Sequence, residues 1–232
     1  MHYLSYVTLT IGALLLFWSF YPVVSFEIYS NIFLRNNIVA PVPSSEKTGS
    51  LVFANSVWGD NNNFSNNLRD FTQASLWFPT KNLKKPSEKV NVSEYFLSIP
   101  KLNIQKALVR TQGEDLARSL IHFLPTSLPG EPGNVAIFGH STLPQLYNTK
   151  DYKTIFTYLP SLSKGDKIIV QVNNTDYEYE VFEMFVVKPD QISVLEQRYD
   201  GSYLTLVTCV PPGTFWNRLI VRAKMVDSPN NF

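Results

Sequence analysis

The hydrophobic positions of this chain form one continuous run, followed by many short segments. Leu4 to Ser25 is a run of 22 mostly apolar residues, and no Asp, Glu, Lys or Arg precedes Glu27. A helix of that length spans about 33 Å at about 1.5 Å per residue, which matches the hydrocarbon core of a bilayer. The run therefore predicts a membrane-spanning helix within residues 1–26.

A cleaved signal peptide is the alternative interpretation of this run. The usual basic N-terminal region and small-residue cleavage site are both weak, which favours an uncleaved anchor. No second apolar run of this length occurs, so we expect a single-pass membrane protein. No Lys or Arg precedes the helix to set its orientation, and we take the C-terminal bulk of the chain to lie outside the cytoplasm.

Residues 27–88 have the composition of an extracytoplasmic stalk. Asn, Ser and Pro are frequent, as in residues 41–45 and 61–63, and such a composition buries little apolar surface. Aromatic residues, Trp77 among them, are nevertheless more numerous than a linker requires. Part of this segment could therefore pack on the folded domain or cover its site.

From residue 89 onward the pattern is that of a β domain. Strands are predicted at residues 94–100, 106–110, 134–139, 167–172, 177–182, 203–208 and 216–223. Short helices are predicted in two windows, Gly113–Ile121 and Tyr152–Leu162. Many short strands with few helices predict an all-β barrel or sandwich at residues 89–228, with residues 229–232 as a tail.

Charge and cysteine content exclude several classes of function. The formal net charge is +1, which gives no indication of a nucleic-acid partner. Cys209 is the one cysteine, so an intramolecular disulfide and a zinc site built on several thiolates are both excluded. The three histidines show no metal-ligand spacing. We therefore expect neither a metal nor a cofactor.

Cys209 stands at the end of an apolar, β-branched run. Alternation along the strand places Val207 and Cys209 on one face, and Pro211 stops the strand because proline cannot donate to a ladder. His140 follows a buried strand upstream, and Arg218 lies nine positions after the cysteine. A lone thiol, a histidine and an arginine suit nucleophilic cysteine chemistry. The ordinary alternatives are a buried small hydrophobe, a structural histidine and a surface cation.

Three segments of the chain resemble the motifs of the sortases. The run Thr205–Cys209 resembles their Thr-Leu-x-Thr-Cys signature, and Gly133–His140 resembles their Gly-Asn…Gly-His segment. The run Arg218–Ala223 is similar to the strand that carries their active-site arginine. The resemblance covers residues 90–226, and a membrane anchor before a stalk is also usual in that family. It implies a closed, eight-stranded, sortase-like β-barrel with one or two short helices.

The resemblance also implies a reaction and a role for each residue. Cys209 would be the nucleophile, His140 the acid and base, and Arg218 the oxyanion partner. Sortases are transpeptidases at the outer face of bacterial membranes that cut a Leu-Pro-x-Thr-Gly-type sorting signal between Thr and Gly. They join the Thr carbonyl to an amine of a peptidoglycan precursor or of a pilin. Arg222 competes with Arg218 because the two lie on one strand face, and the family position favours Arg218.

The partners implied by this resemblance are surface proteins that carry sorting signals, an amine acceptor on a peptidoglycan precursor or a protein lysine, and the membrane through the N-terminal helix. Thr208 and Ser141 flank the catalytic candidates, and Val207 shares the strand face of the thiol, so all three are candidates for contact with the peptide. A loop before the catalytic strand resembles the loop that covers the sorting signal in this family, and the apolar residues in it or beside it are Val186, Val187, Ile192, Val194 and Leu195. The alternatives are β-propensity for the threonine and core packing for the aliphatic residues.

Departures from the family pattern leave the sortase class open. Ser141 follows His140 where several classes have Arg or Thr, and residues 27–88 contain no Asp-Pro-aromatic lid motif, which argues against a pilus-polymerising class. Two other functions stay open: an exported cysteine hydrolase, which shares the thioester, and a catalytically idle β-barrel that binds cell-wall peptide or a partner protein. The presence of Cys, His and Arg together weighs against the idle barrel, because a binding module needs none of them.

Overall fold

The computed structural model describes residues 2–30, 32, 73–74, 77 and 92–227. The stalk predicted at residues 27–88 therefore lies mostly outside the described residues, and the tail predicted at residues 229–232 lies wholly outside them. Within the described part, one long helix precedes a β domain.

Helix α1 spans His2–Tyr29. Its segment Ser5–Ile28, 24 residues long, is apolar and long enough to cross a membrane, and it is the one helix of that kind in the described part of the chain. None of its most apolar window is buried inside the protein. A helix that is apolar all round and has no core to bury it has the composition expected of a helix in lipid.

Eight strands follow between residues 92 and 227: β1 (Glu94–Ile99), β2 (Ile104–Arg110), β3 (Leu120–His122), β4 (Gly133–Phe138), β5 (Lys167–Val172), β6 (Thr175–Val187), β7 (Ser202–Val210) and β8 (Asn217–Asp227). They close into a barrel in the order β1-β2-β3-β4-β7-β8-β6-β5. The pairs β2/β3 and β4/β7 are parallel, and the other neighbours are antiparallel. The predicted closed, eight-stranded barrel is confirmed.

The barrel wall is covered by apolar side chains on both sides of β4, β7 and β8. The interior is filled by residues from all eight strands, such as Leu97, Val135 and Leu206. On the outer side lies a second cluster, here named the outer apolar layer, which consists of Ala74, Trp77, Leu116, Ile121, Ala136, Phe138, Val187, Val194, Leu195, Val207, Cys209 and Ile220. Alternation along β7 explains the division, because successive side chains point to opposite faces of a sheet. Cys209 therefore faces outward, away from the barrel interior.

The two predicted helical windows are wrong in detail. Gly113–Ile121 contains turns that lead into β3, a strand that the sequence pattern did not predict. Leu116 packs in the outer apolar layer and Leu120 in the barrel interior. A helix would place these two residues, four apart, on a single face. The need to fill both sides of the wall therefore overrides the helical pattern.

The second window, Tyr152–Leu162, forms successive turns that end in a short 3₁₀ helix, Leu159–Ser161. Pro160 lies within that helix and has no N–H to donate to an α-helical bond. Ile155, Phe156 and Leu159 still pack into the interior cluster, so this segment closes part of the barrel without a regular helix. The fold is therefore all-β with few helices, as predicted.

Candidate active site

Three neighbouring strands carry the catalytic candidates to one end of the barrel. The parallel ladder between β4 and β7 ends at the pair Phe138–Val207, and the backbone N–H of Gly139 then donates to the carbonyl of Val207 at 3.1 Å. On the other side of β7, Cys209 is paired with Arg218 of β8. In sequence, 78 positions separate His140 from Arg218, with Cys209 between them. The strand pairings bring all three to the same end of the barrel.

The residue before His140 is Gly139, a position that has no room for a side chain. A Cβ atom at this position would lie 2.5 Å from the Phe156 ring and 2.6 Å from a methyl group of Leu120. Both neighbours belong to the packed interior. Any side chain would therefore displace the segment that carries the histidine.

The sequence pattern placed Cys209 at a strand end that opens into a loop, where a peptide could reach it, but the thiol is buried. β7 continues to Val210, and Cys209 is only 1% exposed within the outer apolar layer. Burial raises the pKa of the thiol to about 11, and the positive charge of Arg218 partly opposes this rise. Near pH 7 the thiol is therefore protonated, and it is almost fully shielded from solvent.

His140 is held in its neutral form by the same kind of environment. Burial lowers its pKa to about 4. The negative charges of Asp115 and Asp151 oppose this decrease, and the positive charge of Lys153 adds to it. The backbone carbonyl of His140 accepts a hydrogen bond from the N–H of Phe156 at 2.9 Å. The sequence did not indicate a role for Asp115. Its effect on the pKa of His140 depends on the turn that takes the place of the helix predicted at Gly113–Ile121.

Three backbone carbonyls orient Arg218. Its Nη1 donates to the carbonyls of Phe215 and Asn217 at 3.1 and 3.2 Å, and its Nη2 donates to the carbonyl of Trp77 at 3.3 Å. The residue is 4% exposed. Its Nε is buried and has no hydrogen-bond partner among the described residues. A buried N–H that lacks an acceptor is costly, so this donor is available to a bound acceptor such as an acyl oxygen.

Arg222, the alternative to Arg218, lies elsewhere on the same strand. It is paired with Thr205 of β7, four residues before Cys209. Its Nη1 contacts Oε2 of Glu183 at 3.2 Å, and its guanidinium lies 5.0 Å from the centre of the Phe185 ring. At about 3.3 Å per residue, this places Arg222 about 13 Å along the strand from Arg218. The geometry favours Arg218 as the arginine beside the thiol.

Trp77 covers the candidate site from a position before the barrel in sequence. Its ring is stacked on Phe138 with 5.8 Å between centres, lies 5.6 Å from the His140 ring, and is 5.3 Å from the guanidinium carbon of Arg218. The side chain is only 1% exposed. The excess of aromatic residues in the predicted stalk was the sequence signal for such a contact.

The same segment is attached to the turn before β3. Gln73 forms an isolated β-bridge with Asp115, and the N–H of Ala74 donates to the carbonyl of Glu114 at 3.1 Å. Residues 74 and 77 thus belong to the outer apolar layer that also contains Cys209. In this conformation a peptide has no access to the thiol.

The hydroxyl groups of Thr208 and Ser141 are both used inside the protein. Thr208 is fully buried and its Oγ1 donates to the carbonyl of Gly139 at 2.8 Å. Ser141 is half-buried and its Oγ donates to the carbonyl of Cys209 at 2.6 Å. Both residues lie beside the catalytic candidates, and their hydroxyls donate to backbone carbonyls, so their contact with a peptide stays a prediction.

The aliphatic candidates are divided between the outer layer and a nearby cavity. Val207 and Val194 are buried in the outer apolar layer, as are Val187 and Leu195. Val186 is half-buried and packs against the interior cluster. Ile192 is 45% exposed and lines a cavity of about 250 Å³, together with Phe123, Pro125, Thr126, Leu195, Glu196 and Gln197.

Gln197 holds the loop between β6 and β7 in place and was not predicted from the sequence. Its Oε1 accepts from the N–H of Asn134 at 3.0 Å, and its Nε2 donates to the carbonyl of the same residue at 2.9 Å. The side chain of Asn134 in turn accepts a hydrogen bond from Thr205 at 2.7 Å. These bonds join the loop to β4 and β7. No local pattern indicates them, since the partners are 63 positions apart.

Known proteins resemble this chain across the barrel. The sequence-family model described as Sortase domain matches residues 97–226. Sortase D of Bacillus subtilis is 27% identical over 134 residues, which cover 56% of this chain and 62% of that protein. Sortase A of Bacillus anthracis is 28% identical over 132 residues, which cover 57% of this chain and 59% of that protein. The chain thus matches about three fifths of the length of these curated relatives.

Solved structures show the same fold. The Sortase D5 transpeptidase of Clostridium perfringens superposes with a TM-score of 0.51 at 26% identity, covering 68% of this chain and 98% of that chain. A pilus-related Sortase C of Group B Streptococcus superposes with a TM-score of 0.52 at 28% identity, covering 68% of this chain and 84% of that chain. The family match over residues 97–226 includes the strands that carry the three candidate residues.

Proposed function

Because the chain belongs to the sortase family, we propose that its barrel is a cysteine transpeptidase acting on a Leu-Pro-x-Thr-Gly-type sorting signal. Cys209 is the nucleophile, His140 the acid and base, and Arg218 the oxyanion partner. The observation that carries this proposal is the position of Arg218, which is paired with Cys209 in the ladder and keeps a buried Nε–H without an acceptor among the described residues.

Acylation begins from a neutral thiol and a neutral imidazole. Burial keeps the pKa of Cys209 high and that of His140 low, so both carry their neutral forms near pH 7. Cys209 attacks the carbonyl carbon of the scissile Thr-Gly bond, and His140 takes the thiol proton. The carbonyl oxygen becomes an oxyanion, which the cationic guanidinium of Arg218 stabilises.

Collapse of this intermediate breaks the carbon–nitrogen bond. The imidazolium of His140 gives its proton to the departing Gly amine, which is otherwise a poor leaving group. The product is a thioester on Cys209, with His140 again neutral. An incoming amine attacks the thioester, loses its proton to His140, and displaces the thiolate, which recovers the proton. The acyl group is thus transferred to the amine and the enzyme is unchanged.

The proposed location follows from helix α1. A single apolar helix before the barrel would anchor the enzyme in the cell membrane, with the barrel on the extracytoplasmic side. Surface proteins that carry a sorting signal are the proposed donors, and an amine of a peptidoglycan precursor or of a protein lysine is the proposed acceptor. Peptide binding requires Trp77 to move, because Cys209 is 1% exposed beneath the outer apolar layer.

The full chain in detergent micelles can test this function. It would be incubated with a Leu-Pro-x-Thr-Gly peptide library and amine acceptors, and mass spectrometry would detect a thioester on Cys209 and an amine-linked product. We expect both, and we expect Cys209→Ala to abolish both. A folded wild-type protein that forms no adduct across the library would exclude the proposed activity. A thioester released only to water would assign the chain as a cysteine hydrolase instead.

A further inference from the structure

The coupling between β4 and β7 ends just before the catalytic candidates. The last ladder pair is Phe138–Val207. The last backbone hydrogen bond between the two strands runs from the N–H of Gly139 to the carbonyl of Val207 at 3.1 Å. Beyond this point β7 stays paired with β8, but the chain from β4 leaves the sheet. His140 therefore lies on a segment that the ladder no longer holds.

Two side-chain hydroxyls continue the coupling where the ladder stops. Thr208, the neighbour of the thiol, donates to the carbonyl of Gly139, the neighbour of His140, at 2.8 Å. Ser141, the other neighbour of His140, donates to the carbonyl of Cys209 at 2.6 Å. The two bonds are reciprocal, and they enclose the histidine and the cysteine between them.

The residues that carry the two hydroxyls differ in the number and direction of their other hydrogen bonds. Thr208 is fixed in any case, because it is paired with Leu219 in the ladder of β7 and β8. The segment after β4 has other anchors, namely the bond from Phe156 N–H to the carbonyl of His140 at 2.9 Å and the bond from Thr142 N–H to Oγ1 of Thr157 at 3.0 Å. These anchors tie the segment to residues 156–157. Phe156 packs in the barrel interior, whereas Cys209 belongs to the outer apolar layer. The Ser141 hydroxyl is the bond that joins the C-terminal neighbour of His140 to Cys209 itself.

We infer that Ser141 is a positioning residue that fixes the distance and direction between His140 and Cys209. This inference rests on the proposed function, because it assigns a role within the same reaction. Proton transfer requires the two side chains to come within hydrogen-bond reach, and a misplacement of about 1 Å can reduce a rate by about 10²-fold. The Ser141 hydroxyl donates to the backbone carbonyl of Cys209, so the proposed effect passes through the placement of the histidine.

The test compares Ser141→Ala with Ser141→Thr in the full chain. The alanine variant removes the hydroxyl and the threonine variant retains it. With the peptide substrate, we expect Ser141→Ala to lower kcat about tenfold and to leave KM within about twofold, while Ser141→Thr stays within about threefold of wild type in kcat. Thr111→Val is the matched control, since it removes a buried hydroxyl that donates to the carbonyl of Val92 at 2.7 Å, away from the site.

A second readout keeps this inference separable from the proposed activity. The rate at which iodoacetamide alkylates Cys209 would be measured from about pH 6 to about pH 10, also in a Trp77→Ala background that uncovers the thiol. We expect the profile of Ser141→Ala to shift toward that of His140→Ala, and the profile of Ser141→Thr to match wild type. If the wild-type protein formed no peptide product, the proposed function would be excluded. The alkylation profiles would still test whether Ser141 positions His140 beside Cys209.

Three results would overturn the inference. The first is a wild-type alkylation profile in Ser141→Ala. The second is a loss in Ser141→Thr as large as that in Ser141→Ala, because the retained hydroxyl would then have no effect. The third is an equal change in Thr111→Val, which would indicate general loosening of the barrel.

Discussion

At the scale of single residues, burial sets the resting protonation states of Cys209 and His140, the proposed catalytic pair. The pKa of Cys209 is raised to about 11 and that of His140 is lowered to about 4, each with burial as the largest cause. A charged pair in this environment would be desolvated, so the neutral thiol and imidazole are favoured. Arg218 is the nearby cation that acts in the opposite direction on the thiol. Under the proposed function, the substrate would therefore meet a pair that ionises only as the reaction proceeds.

The residue whose role is most open to a direct test is Arg218. We expect Arg218→Ala to lower kcat by at least about 10²-fold, since it removes the donor proposed for the oxyanion. Arg218→Lys keeps the charge but lacks the planar guanidinium and its Nε–H, so we expect it to recover little of the loss. Steady-state kinetics with the sorting peptide would measure both.

Arg222→Ala is the control for this test. Its guanidinium contacts Glu183 and Phe185, away from the thiol, so we expect activity within about threefold of wild type. Near-normal turnover in Arg218→Ala together with a large loss in Arg222→Ala would transfer the role to Arg222.

At the scale of elements, Trp77 covers the strand ends that carry the catalytic candidates. Its ring lies against Phe138, His140 and Arg218, and its carbonyl accepts from Arg218. The site thus combines strands from the barrel with residues that precede the barrel in sequence. Residues 27–88 contain no Asp-Pro-aromatic motif, so the contact was not predictable from a motif.

Removal of the Trp77 ring should expose the thiol. We expect Trp77→Ala to raise the rate of Cys209 alkylation at pH 7 by about tenfold or more, since a drop of one unit in the thiol pKa alone raises the thiolate fraction tenfold. Less burial also moves the pH midpoint of alkylation below the value of about 11 that burial imposes. Timed alkylation followed by mass spectrometry would measure both changes.

Tyr199→Ala is the matched control for Trp77→Ala, because it removes an aromatic ring that is 72% exposed. We expect its alkylation rate to equal that of wild type. An unchanged rate in Trp77→Ala would show that the ring does not limit access to Cys209 in solution.

At the scale of the whole molecule, a second buried histidine links stability to pH. His122 lies in a network in which the Tyr95 hydroxyl donates to Nδ1 at 2.8 Å, and Nε2 donates to the carbonyl of Thr126 at 3.3 Å. Burial lowers the pKa of His122 from 6.5 to about 4, and the bond to Thr126 partly opposes this change. The network joins β1 to β3 and to the turn before β4.

The sign of the pH effect follows from these values. Well above pH 6.5 the histidine is neutral in both the folded and the unfolded chain, and its contribution to stability is fully present. As the pH falls from 6.5 to about 4, the unfolded chain binds the proton first, so the free energy of unfolding decreases. The decrease is about 3 kcal/mol for a shift of this size. We expect His122→Gln to reduce this decrease in denaturant titrations over that pH range.

His140 contributes to the same pH range because burial lowers its pKa as well. The control is therefore His140→Gln alone and in combination with His122→Gln, and we expect the combined variant to show the smallest dependence on pH. Equal slopes of unfolding free energy against pH in wild type and in His122→Gln would contradict the assignment of a buried, neutral His122.

Local patterns in the sequence determined most of the strands and the identity of the catalytic candidates. β5 was predicted at its observed residues, because alternation along a half-buried strand is a local property. The long α1 was predicted for the same reason, since the length of an apolar run is read directly from the chain. β3 was missed and a helix was predicted in its place, because its three residues are too few to show a period.

The sequence by itself determined that this chain carries an apolar helix, a barrel of short strands, and one cysteine with a histidine and an arginine in motif context. Only the tertiary structure decided what surrounds those residues: that Arg218 rather than Arg222 is paired with Cys209, that Ser141 and Thr208 join the two catalytic segments, and that Trp77 covers them. The physical reason is that strand type depends on neighbours along the chain, whereas burial, pKa and access depend on residues brought together from distant positions.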